Sequence, residues 1–230
     1  MNVDNSILYI ENLVFKWKKK ENFFLKINKL EIKKNSKVIL LGESGSGKST
    51  LLNLISGIIE PNNGKIIING TSLTTLSSKR KDIFRSENLG VIFQKFNILE
   101  YLSPIMNILL PSYFCSYEKK KSDYFTERAI KLGEKLGLSK ELLFQNNSRD
   151  LSVGQVQRVA IVRALINSPK IILADEPTSA LDSKNKEKFL DLLFSICMHE
   201  KISILMVSHD HLIKKYFDEV LLIDDIKKKV

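Results

Sequence analysis

The sequence predicts an α/β fold with a mostly parallel sheet, an antiparallel β layer and an α-helical subdomain, and three observations carry that prediction. Short apolar runs at residues 37–41, 89–93, 170–174, 202–207 and 219–223 have the composition of strands in a parallel sheet buried on both faces. Residues 7–12 and 23–32 instead alternate apolar and polar side chains, with Phe24, Leu25, Ile27, Leu30 and Ile32 as apolar positions, in the manner of antiparallel strands. Between about residues 95 and 165 the strand signal is weak, and helical patterns occur near 103–110, 117–136 and 155–167. The chain is therefore expected to form a single domain over residues 1–230. Its α/β core and β layer comprise 1–94 and 166–230, and a helical subdomain, 95–165, leaves after the strand ending at Phe93 and returns by Ile171.

The elements follow in order. After the antiparallel strands comes Lys37-Val38-Ile39-Leu40-Leu41, a buried strand, then Gly42-Glu43-Ser44-Gly45-Ser46-Gly47-Lys48-Ser49-Thr50, then Leu51, Leu52, Leu54 and Ile55 at helical spacing. Strand, glycine turn and helix are the context a phosphate-binding loop (P-loop) requires. Gly42, Gly45 and Gly47 permit backbone conformations in which successive N–H groups face phosphate oxygens. The helix N-terminus adds its dipole and unpaired N–H groups. Lys48 is placed to reach the β- and γ-phosphates of a nucleoside triphosphate, and the Ser49 hydroxyl to ligate its Mg2+; Thr50 caps or packs. Pro61-Asn62-Asn63-Gly64 reads as a turn, and Lys65–Asn69 as a further short strand.

A second motif, Lys170-Ile171-Ile172-Leu173-Ala174-Asp175-Glu176-Pro177, ends a hydrophobic strand in two acids. That places carboxylates at the carboxyl edge of a sheet, where open α/β folds bind ligands. Successive side chains point in opposite directions, so Asp175 is read as holding Mg2+ through its water shell and Glu176 as the base for the attacking water.

Composition narrows the class. The chain has 230 residues, 43% of them hydrophobic, enough for a sizeable core. No apolar run reaches the roughly 18 residues of a membrane span, and Met1–Asn5 lacks the layout of a signal peptide. Cys115 and Cys197 have neither disulfide nor zinc spacing and read as core or interface residues. The net charge of +10 lies partly in runs such as Lys18-Lys19-Lys20, Lys119-Lys120-Lys121 and Lys227-Lys228-Lys229. Such runs read as solubilising surface, with a membrane-surface role as the specific alternative.

Four further motifs make the reading more specific. Leu151-Ser152-Val153-Gly154-Gln155 with its following helix resembles the signature motif of ATP-binding cassette (ABC) proteins. Ala174-Asp175-Glu176-Pro177-Thr178-Ser179-Ala180-Leu181-Asp182 resembles that family's acidic motif running into its D-loop. Gln94, after Val91-Ile92-Phe93, matches the Q-loop glutamine, and His209 in Val207-Ser208-His209-Asp210 matches the switch histidine; His199 and His211 read as surface residues. The resemblance covers essentially the whole chain and implies the ABC ATPase fold, a P-loop NTPase core, with ATP and Mg2+ as ligands.

It also implies an ATP-sandwich homodimer. Ser152 and the backbone N–H of Gly154, with the helix after Gln155, bind the γ-phosphate of the partner copy's ATP, and Asp182 acts across the seam. Gln94 touches the metal or attacking water, and His209 hydrogen-bonds the γ-phosphate. Trp17 matches the position of an aromatic residue that stacks on adenine, a contact worth roughly 1 to 3 kcal/mol in nucleic-acid sites, and Phe15 is the core residue. Val153 stands where the family usually has glycine. Hydrolysis is expected to be retained, and slower if that position requires a positive φ.

Leu89–Leu99 and Asn107–Pro111 are similar to the lipoprotein-release and macrolide-exporter branch, which also contains the cell-division cassettes. This implies a cytoplasmic subunit, peripheral on the inner face of the cell membrane beneath an integral-membrane permease, exporting or extracting a lipoprotein, peptide or drug. The alternatives are a structural or signalling cassette of the cell-division type, and a nucleic-acid-associated ATPase suggested by the positive charge. Because the chain lacks tandem cassettes and a long coiled-coil insertion, no nucleic-acid partner is expected.

Overall fold

The computed structural model describes residues 5–17, 23–116 and 122–227. The lysine runs at 18–20 and 119–121, Lys228 and Lys229, and the first part of the helix expected from 117 lie outside them. Two sheets form the frame. The antiparallel one contains β1 (Ser6–Lys16), β2 (Phe24–Lys33), β4 (Asn63–Ile68) and β5 (Thr71–Ser72) in the order β2-β1-β4-β5. The parallel one contains β3 (Lys37–Leu41), β6 (Leu89–Ile92), β7 (Ile171–Asp175), β8 (Ser203–Ser208) and β9 (Glu219–Leu222) in the order β6-β7-β8-β3-β9.

Alternation along the parallel strands divides the apolar side chains between two cores. Val38, Leu40, Ile171, Leu173, Leu205 and Val207 pack with the antiparallel sheet and with helix α1 (Lys48–Ile55). Ile39, Leu41, Ile172, Ala174, Ile204 and Met206 pack on the opposite face with helical residues such as Ile105, Leu132, Val159 and Phe189. Successive strand residues point to opposite faces, so an uninterrupted apolar run fills both layers.

Strand β9 departs from that expectation. It pairs only with β3 at the sheet edge, and Val220 and Leu222 are each 42% exposed. An apolar run alone cannot distinguish an edge strand from a central one.

Helices α3 (Pro104–Leu109), α4 (Ser122–Lys135), α5 (Lys140–Leu143) and α6 (Val153–Leu165) occupy the segment with weak strand signal. Helix α6 begins at Val153, two residues before the expected start. Ser152 accepts a hydrogen bond from Gln155 N (3.3 Å), and Gln155 Oε1 accepts one from Ser152 N (2.8 Å). This reciprocal capping box is encoded by Ser-x-x-Gln and satisfies two otherwise orphaned donors.

Besides the single-turn α5, three helices lie outside the expected helical patterns. α2 (Ser78–Asn88) is so polar that its buried Phe84 makes no periodic stripe. α7 (Ser183–His199) does bury Phe189, Leu190, Leu193 and Cys197 at helical spacing, and α8 (Ile223–Ile226) is a single turn after β9. Cys115 and Cys197 are both buried and in no disulfide, as expected of core residues, and burial pushes the Cys197 thiol up to about 12. Among the described residues, no helix is long and apolar enough to cross a membrane.

Helix α6 lies close against β6. A Cβ on Gly90 would sit 2.4 Å from the Ala164 carbonyl oxygen, a backbone atom with little freedom to retreat. Gly90→Ala is therefore expected to destabilise the fold by about 1 to 3 kcal/mol through overpacking, measurable as a lowered midpoint in urea unfolding.

Candidate active site

Strand register assembles the site. β3 and β8 pair with Leu41 opposite Ser208, and β7 pairs with β8 with Asp175 opposite Val207, so the carboxyl ends of all three reach one edge. From that edge leave the glycine loop, the acidic pair and His209. Gly42 N donates to Ser208 O (3.3 Å) and Glu176 N to Val207 O (3.0 Å), which fastens all three departures to β8.

In the loop, Gly45 (φ 80°) and Gly47 (φ 101°) adopt the left-handed region that favours glycine, and Gly47 is the N-cap of α1. Lys48 folds back over its own loop. Its Nζ donates to Gly42 O (2.7 Å) and Glu43 O (2.8 Å), lies 3.6 Å from Glu176 Oε1, and is only 4% exposed.

Asp175 continues the alternation of Ile171 and Leu173, which puts it on the α1 side of the sheet. There its Oδ1 accepts the Ser49 hydroxyl at 3.0 Å. Burial raises the Asp175 pKa and neighbouring Glu176 adds to the rise, whereas the Ser49 hydrogen bond and Lys48 oppose it. Glu176 turns out of the strand with φ 45°, and its Oε2 lies 2.6 Å from His209 Nδ1. Gln94 Nε2 donates to Ser179 Oγ at 3.3 Å.

A cavity of about 330 Å3 is walled by Trp17, Phe23, Ser44, Gly45, Gly47, Lys48, Ser49, Thr50, Gln94, Asp175 and Glu176; His209 is not among these residues and meets the cavity through Glu176. A buried cation, a glycine-lined wall and an aromatic residue suit a nucleoside triphosphate. Oxygen donors from Ser49 and Asp175 suit Mg2+, which prefers such ligands. Of the other loop residues, Gly42 and Glu43 contribute carbonyls to Lys48, and the Ser46 hydroxyl is buried without a partner. Trp17 is 39% exposed and meets buried Phe15 edge-on at 5.0 Å.

The signature residues are elsewhere. Ser152, Gly154 and Gln155 are not among the residues lining this cavity. Val153 occupies the first helical position and is 66% exposed, so it adopts backbone open to any residue, and a Cβ on Gly154 would meet nothing within 4 Å. The concern over a positive φ at Val153 does not apply in this conformation. Asp182 caps α7, accepting from Asn185 N at 2.9 Å, and these backbone hydrogen bonds hold its carboxyl below its ordinary value. His199 and His211 are exposed, as expected.

Phe23, Ser179, Arg163 and Lys227 lie at or beside the site without being among the expected site residues. Phe23 follows a basic run and carries no motif; it approaches Gly47, where a Cβ would be 3.0 Å from its ring. Arg163 donates to the carbonyls of Asn97 (2.8 Å) and Phe96, bracing the segment after Gln94 from α6, and burial lowers its pKa to about 10. Lys227, read as part of a solvated run, instead donates to the Ser46 carbonyl.

Comparison with known proteins agrees with this geometry. The ABC transporter family profile matches residues 25–179. The lipoprotein-releasing system ATP-binding protein LolD of Buchnera aphidicola is 38% identical over 90% of this chain and 89% of its own length. The macrolide export ATP-binding/permease protein MacB of Pasteurella multocida is 37% identical over 89% of this chain but only 31% of its own length. A dimeric post-hydrolysis structure of the ATP-binding cassette MJ0796, bound to ADP and Pi, superposes with a TM-score of 0.79 at 30% identity, covering 96% of this chain and 94% of that one. The chain belongs to the ABC transporter family and is an ATP-binding, ATP-hydrolysing subunit of that family.

Proposed function

We propose that two copies of this chain close head to tail around two ATP molecules beneath an integral-membrane permease, and that closure drives export or extraction of a lipoprotein, peptide or drug. The observation that carries this reading is the separation of the capped Ser152–Gln155 helix start from the phosphate cavity. Exposed and already ordered, it is suited to complete the cavity of a second copy. The dimeric MJ0796 cassette and the lipoprotein-releasing assignment of LolD support it.

Within the site, Lys48 and the loop N–H groups bind the phosphates, Trp17 offers a face to adenine, and Ser49 and Asp175, with Gln94 nearby, hold Mg2+. When bound, that ion neutralises phosphate charge. Glu176 takes the proton of the attacking water, and His209, already 2.6 Å from it, orients that carboxylate and faces the γ-phosphate. Ser152, Gly154 and Gln155 present a helix N-terminus to the same phosphate in trans, and Asp182 borders the seam.

Residues 95–165 act as a helical lobe that reports nucleotide state to the permease. Gln94 stands at its base, beside a mostly apolar groove of about 440 Å3 that includes Phe93, Pro111 and Phe114. Co-purification with a permease that stimulates hydrolysis and releases cargo from membranes supports the reading. A permease-free chain with full turnover, or salt-sensitive nucleic-acid binding, overturns it.

Glu176→Gln is expected to lower kcat by about 10² to 10⁴ while an ATP-bound dimer accumulates in size-exclusion chromatography; Lys48→Ala, by contrast, weakens nucleotide binding itself in direct titration. Val153→Gly is expected to leave steady-state ATPase activity equal or higher, since Val153 bears no backbone strain. A large loss there would give the valine a positive role at the dimer seam.

A further inference from the structure

The C-terminal end of the described chain is fastened to the phosphate loop at two points. Ile223, in α8, is fully buried against the loop's first residue, where a Cβ on Gly42 would lie 2.3 Å from Ile223 Cγ2. Four residues later the backbone of Lys227 bridges to Ile27 of β2, and the Lys227 Nζ donates to the carbonyl of Ser46. The Lys227 side chain is 22% exposed and has an acidic neighbour, Asp224 Oδ1, at 3.9 Å. Burial lowers its pKa, Asp224 opposes this, and repulsion from Lys48 adds to it. An ammonium group held partly out of water near another cation is costly, and the carbonyl bond offsets that cost.

A trans peptide is planar, and its C=O and N–H point in opposite directions. The carbonyl of Ser46 and the N–H of Gly47 belong to one such unit. Gly47 lines the phosphate cavity, whereas Ser46 does not, so a cation on the Ser46 oxygen holds the carbonyl end of the unit whose other end is at the cavity wall. Gly47 (φ 101°), which follows this peptide, lacks the side chain that resists rotation elsewhere.

We propose that Lys227 is a positioning residue for ATP binding: by drawing the Ser46 carbonyl outward it fixes the Ser46–Gly47 peptide with the Gly47 N–H aimed into the phosphate cavity. The loop then meets the nucleotide already organised, and binding need not select one peptide orientation from two. This inference rests on the assignment of the cavity to ATP phosphates.

The test compares full-length wild type, Lys227→Met and Lys227→Arg by calorimetric titration with ATP and with ADP, and by steady-state kinetics. Loss of a hydrogen bond to a charged donor should weaken both nucleotides by about tenfold, raise KM in parallel, and leave kcat at saturating ATP near the wild-type value. Lys227→Arg, which keeps charge and donor, should restore affinity. Unchanged ATP and ADP affinity in Lys227→Met overturns the proposal. So does a loss confined to ATP, which would mark direct attraction to the γ-phosphate charge, or a fall in kcat with constant KM. Failure of the wild-type chain to bind either nucleotide would instead refute the assignment of the cavity.

Discussion

The common carboxyl edge of β3, β8 and β7 is the constraint from which the rest of the site follows. Three parallel strands in fixed register deliver Gly42, His209 and Asp175–Glu176 to one place although they are far apart in sequence. The side-chain alternation that divides the apolar residues between two cores also decides which acid faces which partner. Asp175 falls on the α1 side and meets Ser49; Glu176, breaking the strand at φ 45°, meets Lys48 and His209. A one-residue slip of β7 would reverse both assignments and bury charge in the apolar layers.

The charges at that edge are mutually compensating before any phosphate arrives. Lys48 is satisfied by two loop carbonyls and approaches Glu176, while Glu176 is shared with His209. The two carbonyls take two of the three Lys48 N–H donors, so a phosphate oxygen can be bound by the third without displacing them. The same economy explains why Asp175 tolerates burial: the Ser49 hydroxyl and Lys48 oppose the desolvation that raises its pKa.

Most of this architecture was legible in the sequence because its signals are local. Continuous apolar runs marked the parallel strands, alternation marked β1 and β2, and glycine spacing marked the loop. What was not legible depended on distance or on neighbours. β9 has the same apolar run as the interior strands, and only its pairing with β3 alone makes it an edge. Phe23 and Lys227 reach the loop from opposite ends of the chain, and no spacing rule connects either with Gly47. The early start of α6 is a local signal too, since Ser152 and Gln155 form a capping box in sequence as in space.

The capping box also bears on how the signature helix serves a second site. Ser152 Oγ accepts the Gln155 N–H, which uses one of its lone pairs and leaves its own proton free to donate. Capping and phosphate binding are therefore compatible in one hydroxyl, and the helix start needs no rearrangement to receive an anion. Further along the same helix, Arg163 holds the carbonyls of Phe96 and Asn97, both at positive φ, directly after the Gln94 turn. On the proposed reading, a single rigid element thus touches the partner's nucleotide at its N-terminus and this chain's own Gln94 segment near its C-terminus. A dimer closed in that way would have a physical connection between its halves, because Arg163 ties the helix that meets the partner's phosphate to the segment that follows Gln94.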